Sequence, residues 1–179
     1  MVVFPGFLIA IFGNLIIVVE TNKLDFEEIE MDKDKFFQQS TLIICSNLEI
    51  EEAMLELVRF MKPLMPVSQM YLQYFDQEYN AMRTIAFADA TSCKKLDLLT
   101  HLKGKSKEMA GSGPPDMDAF LVSDPKNFPV AREMGDFHGI HATSVIVLAL
   151  KSKDTVLGYL VLISEEEKGF EESNLEYVR

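Results

Sequence analysis

Tryptophan is absent from this 179-residue chain, cysteine occurs twice, histidine three times, and 28 acids outnumber 17 lysines and arginines. Each scarcity removes a class of function. Cys45 and Cys93 form no CxxC and stand beside no histidine cluster, so neither a disulfide framework nor a closed zinc site is expected, and a reducing, cytoplasmic setting fits. A net charge of −11 repels a phosphate backbone, whose binding draws on Lys and Arg, so direct nucleic-acid binding by this chain is not expected. GxSxG, Walker A, HExxH, GxGxxG and paired-carboxylate motifs are all missing. The chain therefore reads as non-catalytic.

What is present begins with an uncharged stretch, Val2 to Val19, in which thirteen of eighteen residues are Val, Ile, Leu or Phe. As a helix it would span roughly 27 Å, close to a hydrocarbon core. Its apolar side chains sum to roughly −6 kcal/mol toward insertion, against Pro5, Gly6, Gly13 and Asn14. Lys23, Lys33 and Lys35 all follow it, so an anchored chain would keep its remainder in the cytoplasm. Residues 1–30 are thus read either as a membrane anchor with an acidic linker or as an upstream extension ahead of Met31.

Residues 31–179 read as one domain. Phe36, Phe37, Ser40, Ile43 and Ile44 have helical spacing. A second helix follows, with Ser46 and Glu49 at capping-box spacing, a stripe of Ile50, Met54, Leu57, Val58 and Met61, and a stop at Pro63. Gln69 to Phe75 and Ala81 to Phe87 form a predicted hairpin. Leu96 to Leu102 reads as a short helix, Gly104 to Pro115 as a mobile loop, and Ala119 to Val122 as a strand. Asn127 is placed to cap a helix that has Pro129 in its first turn and Gly139 at its end. Two long strands, Ala142 to Leu150 and Thr155 to Ile163, precede a final helix near Phe170 that runs off the chain end, as in a fragment of a longer protein. The order implies an α/β (α+β) domain: a central antiparallel sheet of five to six strands with helices on both faces.

The segment FFQQSTLIICSNLEIEEAMLELVRFMKPLMPVSQMYLQYFDQEYNAMRTIAFA, Phe36 to Ala88, resembles the opening of GAF domains, and GIHATSVIVLALKSKDTVLGYLVLIS, Gly139 to Ser164, is similar to their closing hairpin. The resemblance implies a sensory domain of a bacterial signalling or transcription-regulatory protein. Its small-molecule ligand would be read out by a C-terminal output module. GAF domains with a linear tetrapyrrole carry a Cys in the helix before the closing hairpin, and the comparable position here is Ala131, which disfavours a bilin. The cyclic-nucleotide signature is not recognisable.

His138 and His141 have HxxH spacing without further ligands, which disfavours zinc. No cofactor is expected. The ligand-binding candidates are Phe87, Phe120, Val122, Phe128, Met134, His138 and Thr143, with His138 and Thr143 as the orienting polar groups. A cavity of about 300 Å³ or more with a few polar groups would favour sensing. A core sealed by Phe120, Phe128, Met134 and Phe137 would favour the alternative, a ligand-free dimerisation scaffold. A homodimer through the first helix and the one near Phe170 is expected, with Phe36 in the contact.

Overall fold

A computed structural model describes residues 2–4, 7–12, 15–20, 31–112, 118–153 and 155–179. The chain divides into two units, Met1–Met31 and Asp32–Arg179. In the first, β1 (Val2–Phe4), β2 (Phe7–Phe12) and β3 (Leu15–Glu20) form a three-stranded antiparallel sheet in sequence order. The apolar run is therefore extended and not helical. Val, Ile and Phe favour strands, and the antiparallel pairings run from Val2–Ile9 to Phe4–Phe7 and from Phe7–Glu20 to Phe12–Leu15. Among the described residues no helix is long and apolar enough to cross a membrane.

The second unit begins with α1 (Lys33–Ser46) and α2 (Ile50–Met61). The hairpin β4 (Gln69–Asp76) and β5 (Ala81–Asp89) follows, then β6 (Cys93–Thr100), α3 (Gly104–Ser112), β7 (Ala119–Val122) and α4 (Pro129–His138). The closing hairpin β8 (Ser144–Ser152) and β9 (Thr155–Ser164) leads into α5 (Glu172–Val178). Six strands, β4 to β9, make one antiparallel sheet in the order β6-β5-β4-β9-β8-β7. The two hairpins meet through β4 and β9.

Strand alternation gives the sheet two different faces. The buried face against α2 includes Met70, Ile146 and Leu162, paired in register across three strands. The opposite face carries the paired row Phe87, Tyr71, Val161, Val147 and Phe120 across five strands. That second face takes α3 and α4, whose Ala110, Ala131 and Met134 pack against its side chains.

Both hairpins, the Ala119–Val122 strand and the ends of α4 match the sequence expectation; Pro129 opens α4 and Gly139 closes it at φ 68°. Several local details differ. Leu96 to Leu102 is largely strand, because the Asp89 carboxylate accepts the Thr91 and Ser92 amides at 2.7 and 2.8 Å and turns the chain back along the open edge of β5. Much of the expected loop at Gly104 to Pro115 is α3, whose Lys, Glu, Met and Ala content favours a helix. Residues 113–117 lie outside the described residues.

The Ser46–Glu49 capping box does not form: Glu49 is the N-cap of α2, and the Ser46 hydroxyl donates to the Ile43 carbonyl at 3.1 Å. Ala53 replaces Ile50 in the buried stripe of α2. Phe128, not Asn127, is the N-cap of α4, and the Asn127 amide donates to Asp124. On α1 only Phe36 is buried.

Candidate functional site

Between the second face of the sheet and α3 and α4 lies a partly open cavity of about 220 Å³. The strands supply its floor: Tyr71 and Gln73 from β4, Met82 from β5, Val145 and Val147 from β8, and Tyr159, Val161 and Ile163 from β9. Its roof comes from Met109 and Ala110 of α3 and from Val130, Ala131, Met134, Gly135 and His138 of α4. Phe120, Val122 and Phe128 close one side. No Asp, Glu, Lys or Arg is among the described lining residues.

The polar groups of the lining are few and connected. The Gln73 amide Nε2 donates to the Thr84 hydroxyl at 3.1 Å, and that oxygen lies 3.4 Å from His138 Nε2. Gln73 and Thr84 are both buried. The Thr84 hydroxyl thus links Gln73 to the His138 ring, donating to Nε2 or accepting from it according to the imidazole tautomer. Tyr71 and Phe137 flank the imidazole at centroid distances of 5.2 and 5.1 Å, and this burial lowers the His138 pKa.

Tyr71 donates to Gln69 at 2.9 Å, and desolvation, with the Glu165 and Asp89 carboxylates, pushes its phenol up to about 12. Burial also raises the Tyr159 phenol. Tyr159 lies half-buried on the cavity floor.

The roof is held by one carboxylate. Glu133 of α4 accepts the Lys103 amide at 3.0 Å and the Ser106 hydroxyl at 2.7 Å, which caps the first turn of α3. The Ser106 hydrogen bond foremost, then the Lys103 amide and the nearby cations, hold the Glu133 carboxyl below its ordinary range.

Of the candidates read from sequence, Phe120, Val122, Phe128, Met134 and His138 line the cavity. Phe87 does not; it stacks beside Tyr71 at 5.0 Å. Thr143 does not either: it lies one residue before β8, and its hydroxyl sits 3.0 Å from the Ser164 carbonyl and 2.7 Å from that of Glu166. Phe137 is 52% exposed and leaves the cavity unfilled. Sequence reasoning missed Tyr71, Gln73 and Tyr159, although the alternation of β4 and β9 already places all three on one face.

His141 is exposed, and among the described residues no group of three or more His, Cys, Asp or Glu is placed to hold a metal ion. Ala131 lines the cavity, whereas Cys45 and Cys93 do not.

No protein-family model and no curated protein matches the chain. Among solved structures it is similar to the phycocyanobilin-bound GAF domain from a cyanobacterial phytochrome, with TM-score 0.53 and 16% identity over 84% of this chain and 89% of that one. It is likewise similar to the phycoerythrobilin-bound GAF domain from a cyanobacterial phytochrome, with TM-score 0.51 and 16% identity over 84% of this chain and 90% of that one. The fold of the second unit is that of a GAF domain, as the sequence resemblance implies.

Proposed function

We propose that this domain is a non-catalytic small-molecule sensor of a bacterial signal-transduction or transcription-regulatory protein. It works as a homodimer in the cytoplasm and relays ligand occupancy to a C-terminal output module. The observation that carries this reading is the cavity itself, apolar and partly open, with Gln73, Tyr159 and His138 as polar groups in its lining. Ligand sites have this make-up, a mostly apolar lining with a few placed polar groups.

Its volume, about 220 Å³, falls short of the about 300 Å³ expected above for a sensing site and of drug-sized ligand pockets, so the sensing reading requires a small ligand. That volume, and alanine where a thioether would form, argue against a bilin here, although the similar GAF domains hold bilins. A dimerisation scaffold without ligand is the second reading. It draws on the exposed apolar side chains of α1, Phe37, Leu42 and Ile44.

Native mass spectrometry of the purified protein tests both readings, with hydrogen exchange run before and after a metabolite screen. Sensing predicts a bound small molecule and protection within residues 104–143. A protein that carries no ligand, responds to no metabolite and remains dimeric would leave the scaffold reading.

A further inference from the structure

The cavity floor and roof also define the charge of what can bind. Among its described lining residues there is no Lys or Arg to pair with a phosphate or carboxylate and no Asp or Glu to pair with an amine. A charged ligand would lose its hydration with nothing to replace it. The polar side chains that remain carry no full charge of fixed sign: the Tyr159 hydroxyl, the Gln73 amide, which already donates to Thr84, and the His138 ring. The Gln73 carbonyl oxygen offers an acceptor and the Tyr159 hydroxyl can act as donor or acceptor.

An apolar cavity of roughly 150 Å³ suffices for benzene, so about 220 Å³ has room for two fused rings. Tyr71, Phe120 and Phe128 supply aromatic faces and edges to such a ring system.

Resting on the sensing reading above, we infer that the ligand is an uncharged one- or two-ring aromatic compound bearing a hydroxyl or carbonyl group that hydrogen-bonds to Tyr159. The two neighbouring lining residues Gln73 and Tyr159, paired across β4 and β9, form the polar end of the site. Val145, Val147 and Phe120 form the apolar end.

Three probes of matched ring size separate this from its alternatives: 2-naphthol, naphthalene and 2-naphthoate, titrated at neutral pH by calorimetry on the full chain. The expected order is naphthol tightest, naphthalene weaker, and naphthoate weaker than naphthol by at least about tenfold. Tyr159→Phe should weaken naphthol roughly three- to tenfold and leave naphthalene unchanged. The thermal midpoint of that variant, recorded alongside, separates lost binding from lost folding.

Naphthoate binding as tightly as naphthol would overturn the uncharged class while leaving sensing intact. Equal loss of naphthol and naphthalene in a folded Tyr159→Phe would overturn the role of the hydroxyl. Failure of all three probes on the wild-type chain, with no bound mass in native spectra, would overturn the sensing reading itself.

Discussion

His138 stands between the rings of Tyr71 and Phe137 with the Thr84 hydroxyl 3.4 Å from its Nε2, and its lowered pKa has a thermodynamic consequence. Above the unfolded value, about 6.5, both states are neutral and the residue adds no pH dependence. Below it the unfolded chain takes the proton first, so stability declines as pH falls through the window down to the folded pKa. A thermal midpoint that falls between pH 7 and 5 is therefore expected, with a shallower slope in His138→Gln; an identical slope in the variant would show that other groups carry it. Thr84→Val tests the same chain of contacts at its centre. It strands the buried Gln73 amide and should cost about 1–3 kcal/mol in urea unfolding.

Elements show where sequence patterning is a sufficient guide and where it is not. Both hairpins were legible because alternation and turn residues agree with the pairing each strand finds. α4 was legible because Pro129 and Gly139 mark its ends through backbone geometry alone. By contrast, β6 takes its conformation from the open edge of β5 and the Asp89 turn, and the first turn of α3 takes its cap from Glu133, 27 residues beyond Ser106.

Such tertiary partners leave no local signal. Glu133→Gln weakens that cap, so amide exchange in α3 should quicken while the β4–β9 amides stay protected, with a loss of about 1 kcal/mol. Gly158 of β9 is a second element-scale test. A Cβ there would sit 2.7 Å from the Gln73 carbonyl oxygen, so Gly158→Ala must spread β4 from β9 beside the cavity, at a cost of about 1–3 kcal/mol.

At the scale of the whole molecule, the sheet face that forms the cavity was only partly legible. The stretch from Phe120 to His138 was named because its aromatic and polar residues cluster in sequence, whereas Tyr71, Gln73 and Tyr159 come together only when the two hairpins pair through β4 and β9. The proposed dimer is likewise a matter of which side chains the fold leaves outside. Phe36, expected at a dimer contact, is buried within the chain, its ring 5.4 Å from both Phe60 and Tyr177, and Lys33 pairs with Glu176 of α5 at 3.2 Å.

The helix near Phe170 thus packs on the first helix of its own chain, and one outward stripe of α1 carries Phe37, 71% exposed, and Ile44, two turns apart. Covering that stripe with its counterpart in a second chain removes apolar surface from water at about 25 cal/mol per Å². Phe37→Glu should accordingly shift sedimentation from dimer to monomer with an unchanged thermal midpoint. Phe36→Glu should instead lower the midpoint, because it forces a charge between Phe60 and Tyr177. A Phe37→Glu protein that still sediments as the wild type would place the dimer contact elsewhere or exclude a dimer altogether.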